Sequence, residues 1–325
     1  MITPGLYRRC LRRSLRFRVL LLWWAALLVP AAIAAAPAFA FLRAHLDHSP
    51  RAPDVVAWMD GFTSIELLRQ VHAQGAWRTL AGGLGAGALA MLVVSPFVAG
   101  AMVASAGADE PLQFRPLLAA AGAHYGRMLR VALAALIPLG LAAAATAGIV
   151  KLALDADSRA LTETGADRIR LLAAAAAGFA LFVAHLLVDA ARAQFAADPG
   201  RRSAIRSLWN AAEVLIRRPL RVLAIGALGT LAGAGFAAVL MAVRLQIPQR
   251  APATLLLAWL LAQAAQVAIG WGRAARIEGF AELCRIDAED RARRPGSPAA
   301  ASGDLQVVHS ATLSALEPPG SGAAR

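Results

Sequence analysis

The chain has 325 residues, of which 58% are hydrophobic and only 16% charged, with a formal net charge of +13. A soluble domain carries roughly 25% charged residues, so too few are present to clothe a globular surface. The positive excess falls between long apolar runs, a placement that fits membrane orientation and argues against a nucleic-acid groove.

A basic segment, residues 1–18, comes first, with Arg8, Arg9, Arg12, Arg13, Arg16 and Arg18 and no acid. Six apolar runs follow, at Val19–Leu42, Leu80–Ala106, Leu129–Leu152, Ile169–Ala191, Leu220–Val243 and Thr254–Gly272. Each is long enough to cross a bilayer as a helix, for which about 20 apolar residues suffice. The expected fold is therefore all-α: a polytopic membrane domain over residues 19–293 with about six spanning helices.

The first run has the outline of a secretory signal, with Ala38-Phe39-Ala40 as a small-residue cleavage site. Its length from Val19 to Leu42 exceeds the usual h-region of about 7–15 residues. A retained helix is expected.

Orientation follows from the basic residues. Placing the N-terminus in the cytoplasm puts 23 of the 33 Lys and Arg inside and 10 outside, where 8 acids accompany them. Both termini are then cytoplasmic by the positive-inside rule. Lys151 is the only lysine, and the Arg- and Ala-rich composition points to a GC-rich bacterial genome and its inner membrane. Cys10 and Cys284 stand near opposite ends on the same side, which disfavours a disulfide framework or a thiolate metal site.

The longest outer loop, residues 43–79, contains Ser64–Val71 (SIELLRQV), expected as a short helix on the outer leaflet. His45, Asp47, His48 and His72 lie in the same loop, but no C-x-x-C or H-E-x-x-H pattern supports a metal site there. The tail, residues 294–325, is rich in Pro, Gly, Ser and Ala and is expected to be disordered.

A repeated unit lies within the pattern. Phe114, Leu117-Leu118, Ala121, Tyr125, Arg127 and Leu129-Arg130-Val131 match Ile205, Leu208-Trp209, Ala212, Ile216, Arg218 and Leu220-Arg221-Val222 at a constant offset of 91. The apolar members fall on one helical face. Arg206, Asn210, Glu213 and Arg217 form a polar stripe on another. Such a helix lies in the headgroup layer, its arginines near anionic lipid. Pro219 then ends it, lacking an N–H to donate. Arg18-Val19 gives a degraded third copy, and Ala190-Ala191-Arg192 is echoed by Ala274-Ala275-Arg276. Three units are expected, each a cytoplasmic interfacial helix followed by a transmembrane hairpin. The expected headgroup contacts are Arg127, Arg130, Arg206, Arg217, Arg218 and Arg221.

Gly82-Gly83-Leu84-Gly85-Ala86-Gly87 in the second run, and Gly229 with Gly233 in the fifth, supply G-x-x-x-G spacings for close helix packing within the chain. Pro30, Pro37, Ser95-Pro96 and Pro138 are candidate helix breaks. Gln263 and Gln266 are expected to hydrogen-bond between helices. Ionisable groups inside a bilayer are functional suspects. His185, Asp189 and Arg192 close the fourth run, while Arg273 and Arg276 close the sixth. These five form the candidate intramembrane polar cluster. One reading is a proton relay or substrate-ion pair; the favoured one is a structural pairing of Asp189 with Arg192, Arg273 or Arg276.

Asp189-Ala190-Ala191-Arg192, then Arg201-Arg202-Ser203-Ala204, then Arg217-Arg218-Pro219 before a new helix, make a recognisable sequence of elements. Over roughly Val183–Val222 the chain resembles uncharacterised bacterial six-helix integral membrane proteins that carry an Asp-x-x-Arg element, a basic amphipathic helix and an Arg-Pro break. The resemblance implies an architecture and no particular activity.

Gly-x-Ser-x-Gly, a P-loop and a dinucleotide loop after a strand are all missing from the sequence. No catalytic residue, cofactor or metal is expected. The expected role is a non-enzymatic scaffold or assembly component, partnered by anionic lipid and a second membrane protein and by no nucleic acid. The alternatives are a transporter or permease subunit and, behind it, an intramembrane lipid-modifying enzyme.

Overall fold

Ala and Leu dominate the apolar runs, and both are strong helix formers. The computed structural model describes residues 4–47, 52, 61–159, 162–198, 200–248 and 251–292, and every regular element among them is helical. The elements are α1 (Pro4–Ser14), α2 (Phe17–Leu46), α3 (Gly61–Ala73), α4 (Trp77–Gly107), α5 (Phe114–Ala134), α6 (Leu136–Asp157), α7 (Glu163–Ala197) and α8 (Ala204–Arg217). There follow α9 (Pro219–Thr230), a π-helical turn (Leu231–Gly235), α10 (Phe236–Leu245) and α11 (Pro252–Ala292). Six helical stretches are long and apolar enough to cross a membrane: α2, α4, α5–α6, α7, α9–α10 and α11. The tail expected to be disordered, residues 294–325, and His48 lie outside the described residues.

The chain divides into two units, Met1–Ala281 and Glu282–Arg325. The described part of the second is the end of α11, where Arg285 pairs with Glu282 at 2.9 Å and Arg291 with Asp287 at 2.5 Å. Everything below concerns the first unit.

Helix boundaries follow local chemistry. Thr162 and Ser203 cap α7 and α8, their hydroxyls accepting the N–H groups of Gly165 and Arg206. Pro219 opens α9 at the first helical position, where a missing N–H costs nothing. The first copy of the repeat behaves differently from expectation. No break falls before Leu129, because Met128 occupies the place that Pro219 holds in the second copy. The helix runs on to Ala134 and is interrupted only at Ala135, where Pro138 cannot donate to the Ala134 carbonyl.

Pro30 and Pro37 stay inside α2 and Pro96 inside α4, so none of the three ends its helix. Pro30 and Pro37 pack on the glycine seam of α4. A Cβ at Gly83 would come within 2.5 Å of Pro37 Cγ, and one at Gly87 within 2.6 Å of Ala34 Cβ. The second seam joins α9 and the π turn to α11. A Cβ at Gly233 would lie 2.8 Å from both the Ala268 carbonyl and Gly272 Cα, and one at Gly272 2.5 Å from the Gly229 carbonyl. Both glycine spacings therefore serve backbone-close packing within the chain.

Burial is concentrated at one end of the helices. It takes in Val98–Met102 of α4, Leu117, Ala121, Met128 and Val131 of α5, Val188–Ala196 of α7 and Ala274–Ala281 of α11. Toward the other end the large apolar side chains face outward, among them Leu141, Leu152, Leu171, Phe179, Leu231 and Trp259. Water-soluble monomers rarely leave so continuous an apolar surface exposed.

Candidate functional site

The C-terminal half of α7 carries the polar residues that the packed end encloses. Its small neighbours, Ala190, Ala191 and Ala193, let α8 and α11 approach closely, and this approach buries Asp189 to 3% exposure. Three guanidinium groups surround that carboxylate. Arg192 Nη1 donates to Oδ1 at 3.1 Å, and Arg276 donates to Oδ2 from Nε at 3.1 Å and from Nη2 at 3.0 Å. Arg273 Nε stands 3.6 Å from Oδ1.

Two of the three arginines are held by further contacts. Arg276 Nη1 donates to the Thr230 hydroxyl at 3.1 Å, tying α11 to the turn just before the π-helical segment. Arg273 lies over the Trp23 ring, 5.4 Å from its centroid, and the Trp23 indole donates to the Gln266 carbonyl at 3.2 Å. Arg192 Nε is buried with no hydrogen-bond partner among the described residues. One carboxylate thus joins three cations from α7 and α11, leaving the group with a formal excess of two positive charges.

His185 is not part of this group. Its ring is exposed and its Nδ1 meets the Leu181 carbonyl at 2.9 Å, one turn back along the same helix. The i, i+4 spacing put His185 and Asp189 on neighbouring positions, but at that level α7 buries Ala184 and Leu186 and leaves His185 between them exposed. Of the five residues in the expected polar cluster, the structure gathers Asp189, Arg192, Arg273 and Arg276. Asp189 Oδ1 and Oδ2 are both occupied by guanidinium donors, an arrangement suited to locking helices and poorly suited to carrying a proton.

Gln263 Oε1 accepts from the Trp24 indole at 2.8 Å, a helix-to-helix bond, whereas the Gln266 side chain is exposed. At the C-terminal end of α2 Asp47 pairs with Arg43 at 3.0 Å, and His45 meets the Phe41 carbonyl and the Gln74 amide, each at 2.7 Å. Among the described residues no three potential ligands converge on a metal position.

Helix α8 has three distinct faces. Ala204, Ser207, Ala211 and Val214 are buried, and the Ser207 hydroxyl donates to the Ala191 carbonyl of α7 at 2.6 Å. Ile205, Trp209 and Ile216 are 76%, 74% and 79% exposed. Arg206, Asn210, Glu213 and Arg217 make the third face, with Arg217 paired to Glu213 at 2.5 Å. On the matching helix α5, Phe114 and Leu118 are exposed where α8 has Ile205 and Trp209. Of the remaining expected headgroup arginines, Arg130 is exposed and donates to the Gly126 carbonyl at 3.1 Å, while Arg127, Arg218 and Arg221 are half-buried.

No family model, curated protein or solved structure matches this chain.

The residues of α1 that sequence reading used only for orientation are also structural. The Trp271 indole donates to the Leu11 carbonyl at 3.2 Å, which fixes α1 to α11. Arg13 stands 3.9 Å from buried Glu278. Burial pushes the Tyr7 phenol up to about 12, the neighbouring Cys10 thiol adding to the shift and Arg276 opposing it. The sequence signal for these contacts is faint, since α1 reads only as a run of arginines.

Proposed function

We propose that this chain is a multi-pass protein of the bacterial inner membrane, with both termini cytoplasmic, that organises lipids or a membrane-protein partner without catalysing a reaction. The observation carrying this reading is the three-faced helix α8. One face holds the protein, one presents Ile205, Trp209 and Ile216 to the surroundings, and one is charged. A helix at the membrane–water boundary needs that division, with its apolar face toward acyl chains and its arginines among headgroups. A short helix ahead of two long helical stretches occurs in α1–α2–α4, with α3 inserted, and in α8–α9/α10–α11, whereas between them the 21-residue α5 is as long as the 22-residue α6. The first and last of these units support a hairpin repeat, and α5–α6–α7 fits it with a lengthened first helix. The saturated Asp189 group supports a structural rather than a catalytic centre.

The test is recovery of the chain from native membranes directly into lipid nanodiscs, with mass spectrometry of proteins and lipids. A stoichiometric protein partner or an enriched anionic lipid is expected. Recovery alone, with lipids in the same ratio as the bulk membrane, would overturn the reading.

A second reading, a transporter subunit, is favoured by one feature: the π-helical turn Leu231–Gly235 adjoins Thr230 and the positively charged Asp189 group. Irregular turns beside charged groups are where transporters hold substrates. Solute flux in proteoliposomes that Asp189→Asn abolishes, in protein shown to remain folded, would establish it. An intramembrane enzyme built on His185 and Asp189 draws no support from their separation.

A further inference from the structure

A cleft of about 520 Å³ opens where α1 turns into α2 and meets the segment joining α4 to α5. Arg12, Arg13, Arg16 and Arg18 line it against a single acid, Asp109. Two of the four arginines are fixed in place. Arg16 donates to the Ser105 carbonyl, to the Ser105 hydroxyl at 2.9 Å and to the Ala108 carbonyl at 3.0 Å, so it closes the C-terminal end of α4. Arg18 donates to the Leu112 carbonyl at 3.1 Å and lies 6.0 Å from the centre of the Phe114 ring. A guanidinium has five N–H donors, so most of those on Arg18 are still available after this bond.

Arg12 and Arg13 form the rim. Both are exposed, and Arg12 has no ion pair among the described residues. Arg13 donates to the Asp109 carbonyl at 3.4 Å and stands 3.8 Å from the fully exposed Asp109 carboxylate and 3.9 Å from Glu278, so no close ion pair saturates it. Two anchored cations at the base and two exposed ones at the rim can surround a tetrahedral anion with charge-assisted hydrogen bonds.

The cleft is also apolar on one side. Leu15 and Phe17, both lining residues, are 56% and 72% exposed at the point where the chain enters the long apolar helix α2. A free anion would have no use for them, whereas an acyl chain descending from a bound phosphate would pass along them. The cleft lies level with the start of α2 and the end of α4, both long enough to cross a membrane. That is the depth at which headgroups reside if these helices span.

We propose that this cleft binds the phosphate headgroup of an anionic diacyl phospholipid, with Arg12 and Arg13 as the specificity-determining donors and Leu15 and Phe17 against the acyl chain. The proposal rests on the membrane reading above and assigns a site apart from the arginines of α5, α8 and α9.

The experiment titrates delipidated full-length protein in detergent with phosphatidylglycerol or phosphatidylcholine and reads bound lipid by native mass spectrometry. One phosphatidylglycerol should bind in preference to phosphatidylcholine. Arg12→Gln with Arg13→Gln should weaken it about 30-fold, as expected for two arginines near an anionic surface. Leu15→Ser with Phe17→Ser should also weaken it, and Arg206→Gln with Arg217→Gln should not. All six positions are surface-exposed, and because Arg13 also faces buried Glu278, each variant's unfolding midpoint in detergent is checked against the parent before binding is read. If phosphatidylglycerol is preferred but the Arg12/Arg13 pair is indifferent, the cleft is wrong and lipid binding stands. If neither lipid is preferred, the cleft proposal falls, while the membrane reading is left to the nanodisc recovery above. If inorganic phosphate displaces the lipid at equal concentration and the Leu15/Phe17 pair is indifferent, the ligand is a soluble phosphate and the lipid assignment is overturned.

Discussion

Asp189→Asn keeps the shape of the side chain and removes its charge, leaving Arg192, Arg273 and Arg276 packed together without a counter-ion. The four side chains are 4%, 10%, 19% and 16% exposed for Asp189, Arg192, Arg273 and Arg276, so water screens them little. Removing one partner from a buried charge group costs about 3–5 kcal/mol, most of it from the unpaired charges left behind. The three hydrogen bonds to the carboxylate would each count about 1.5–3 kcal/mol if separable. Sharing one acceptor group, they are not additive, and a total loss of about 4 kcal/mol is expected. The assay is reversible unfolding in mixed micelles of rising SDS content, followed by tryptophan fluorescence. Arg276→Met, which loses two bonds to Asp189 and one to Thr230, should cost more than Arg273→Met, whose guanidinium is 3.6 Å away and rests on Trp23. A loss below about 1 kcal/mol for Asp189→Asn, or the reverse order for the two arginines, would refute Asp189 as the tie between α7 and α11.

Gly233→Ala should destabilise by about 1–3 kcal/mol in the same assay, because its methyl meets backbone atoms of α11. Gly235→Ala, two residues on with no neighbour within 4 Å, should be neutral or slightly stabilising. Ser207→Ala should cost about 0.5–1.5 kcal/mol through loss of its bond to the Ala191 carbonyl. In Tyr125→Phe protein only Tyr7 remains to titrate at 295 nm, and its midpoint should lie near 12, falling to about 10 on denaturation. A phenol whose folded value is raised contributes stability that is complete below pH of about 10 and is lost as pH rises through about 12. Unchanged stability between those values would contradict the burial of Tyr7.

Long apolar runs were legible because helix length and apolar content follow directly from composition; α2, α4 and α7 extend a few residues beyond the runs that announce them, and α11 continues from Gly272 through a polar stretch to Ala292. The grouping of Asp189 with Arg273 and Arg276 was legible too, since a carboxylate deep in an apolar helix must find a cation. What spacing could not reveal is which side of a helix its neighbours cover. His185 shares a face with Asp189 by periodicity, yet it is left exposed between buried Ala184 and Leu186 while Asp189, one turn on, is enclosed. The same blindness applies to α8. Its apolar and charged stripes read cleanly, while the third face, Ala204, Ser207, Ala211 and Val214, consists of residues too small to announce burial. Prolines misled in both directions. Pro30 and Pro37 are absorbed by glycines on α4, and the π turn at Leu231–Gly235 arises with no proline at all.

The most direct test of the account is the sidedness of single cysteines in cells. With Cys10 and Cys284 replaced by alanine, Arg12→Cys on α1, Ser158→Cys after α6 and Arg206→Cys on α8 each offer an exposed position. A membrane-impermeant maleimide should label the residue-158 cysteine in spheroplasts and the other two only after permeabilisation. Labelling of positions 12 and 206 in intact spheroplasts, or equal labelling of all three, would contradict a six-span protein with its basic helices on the cytoplasmic face.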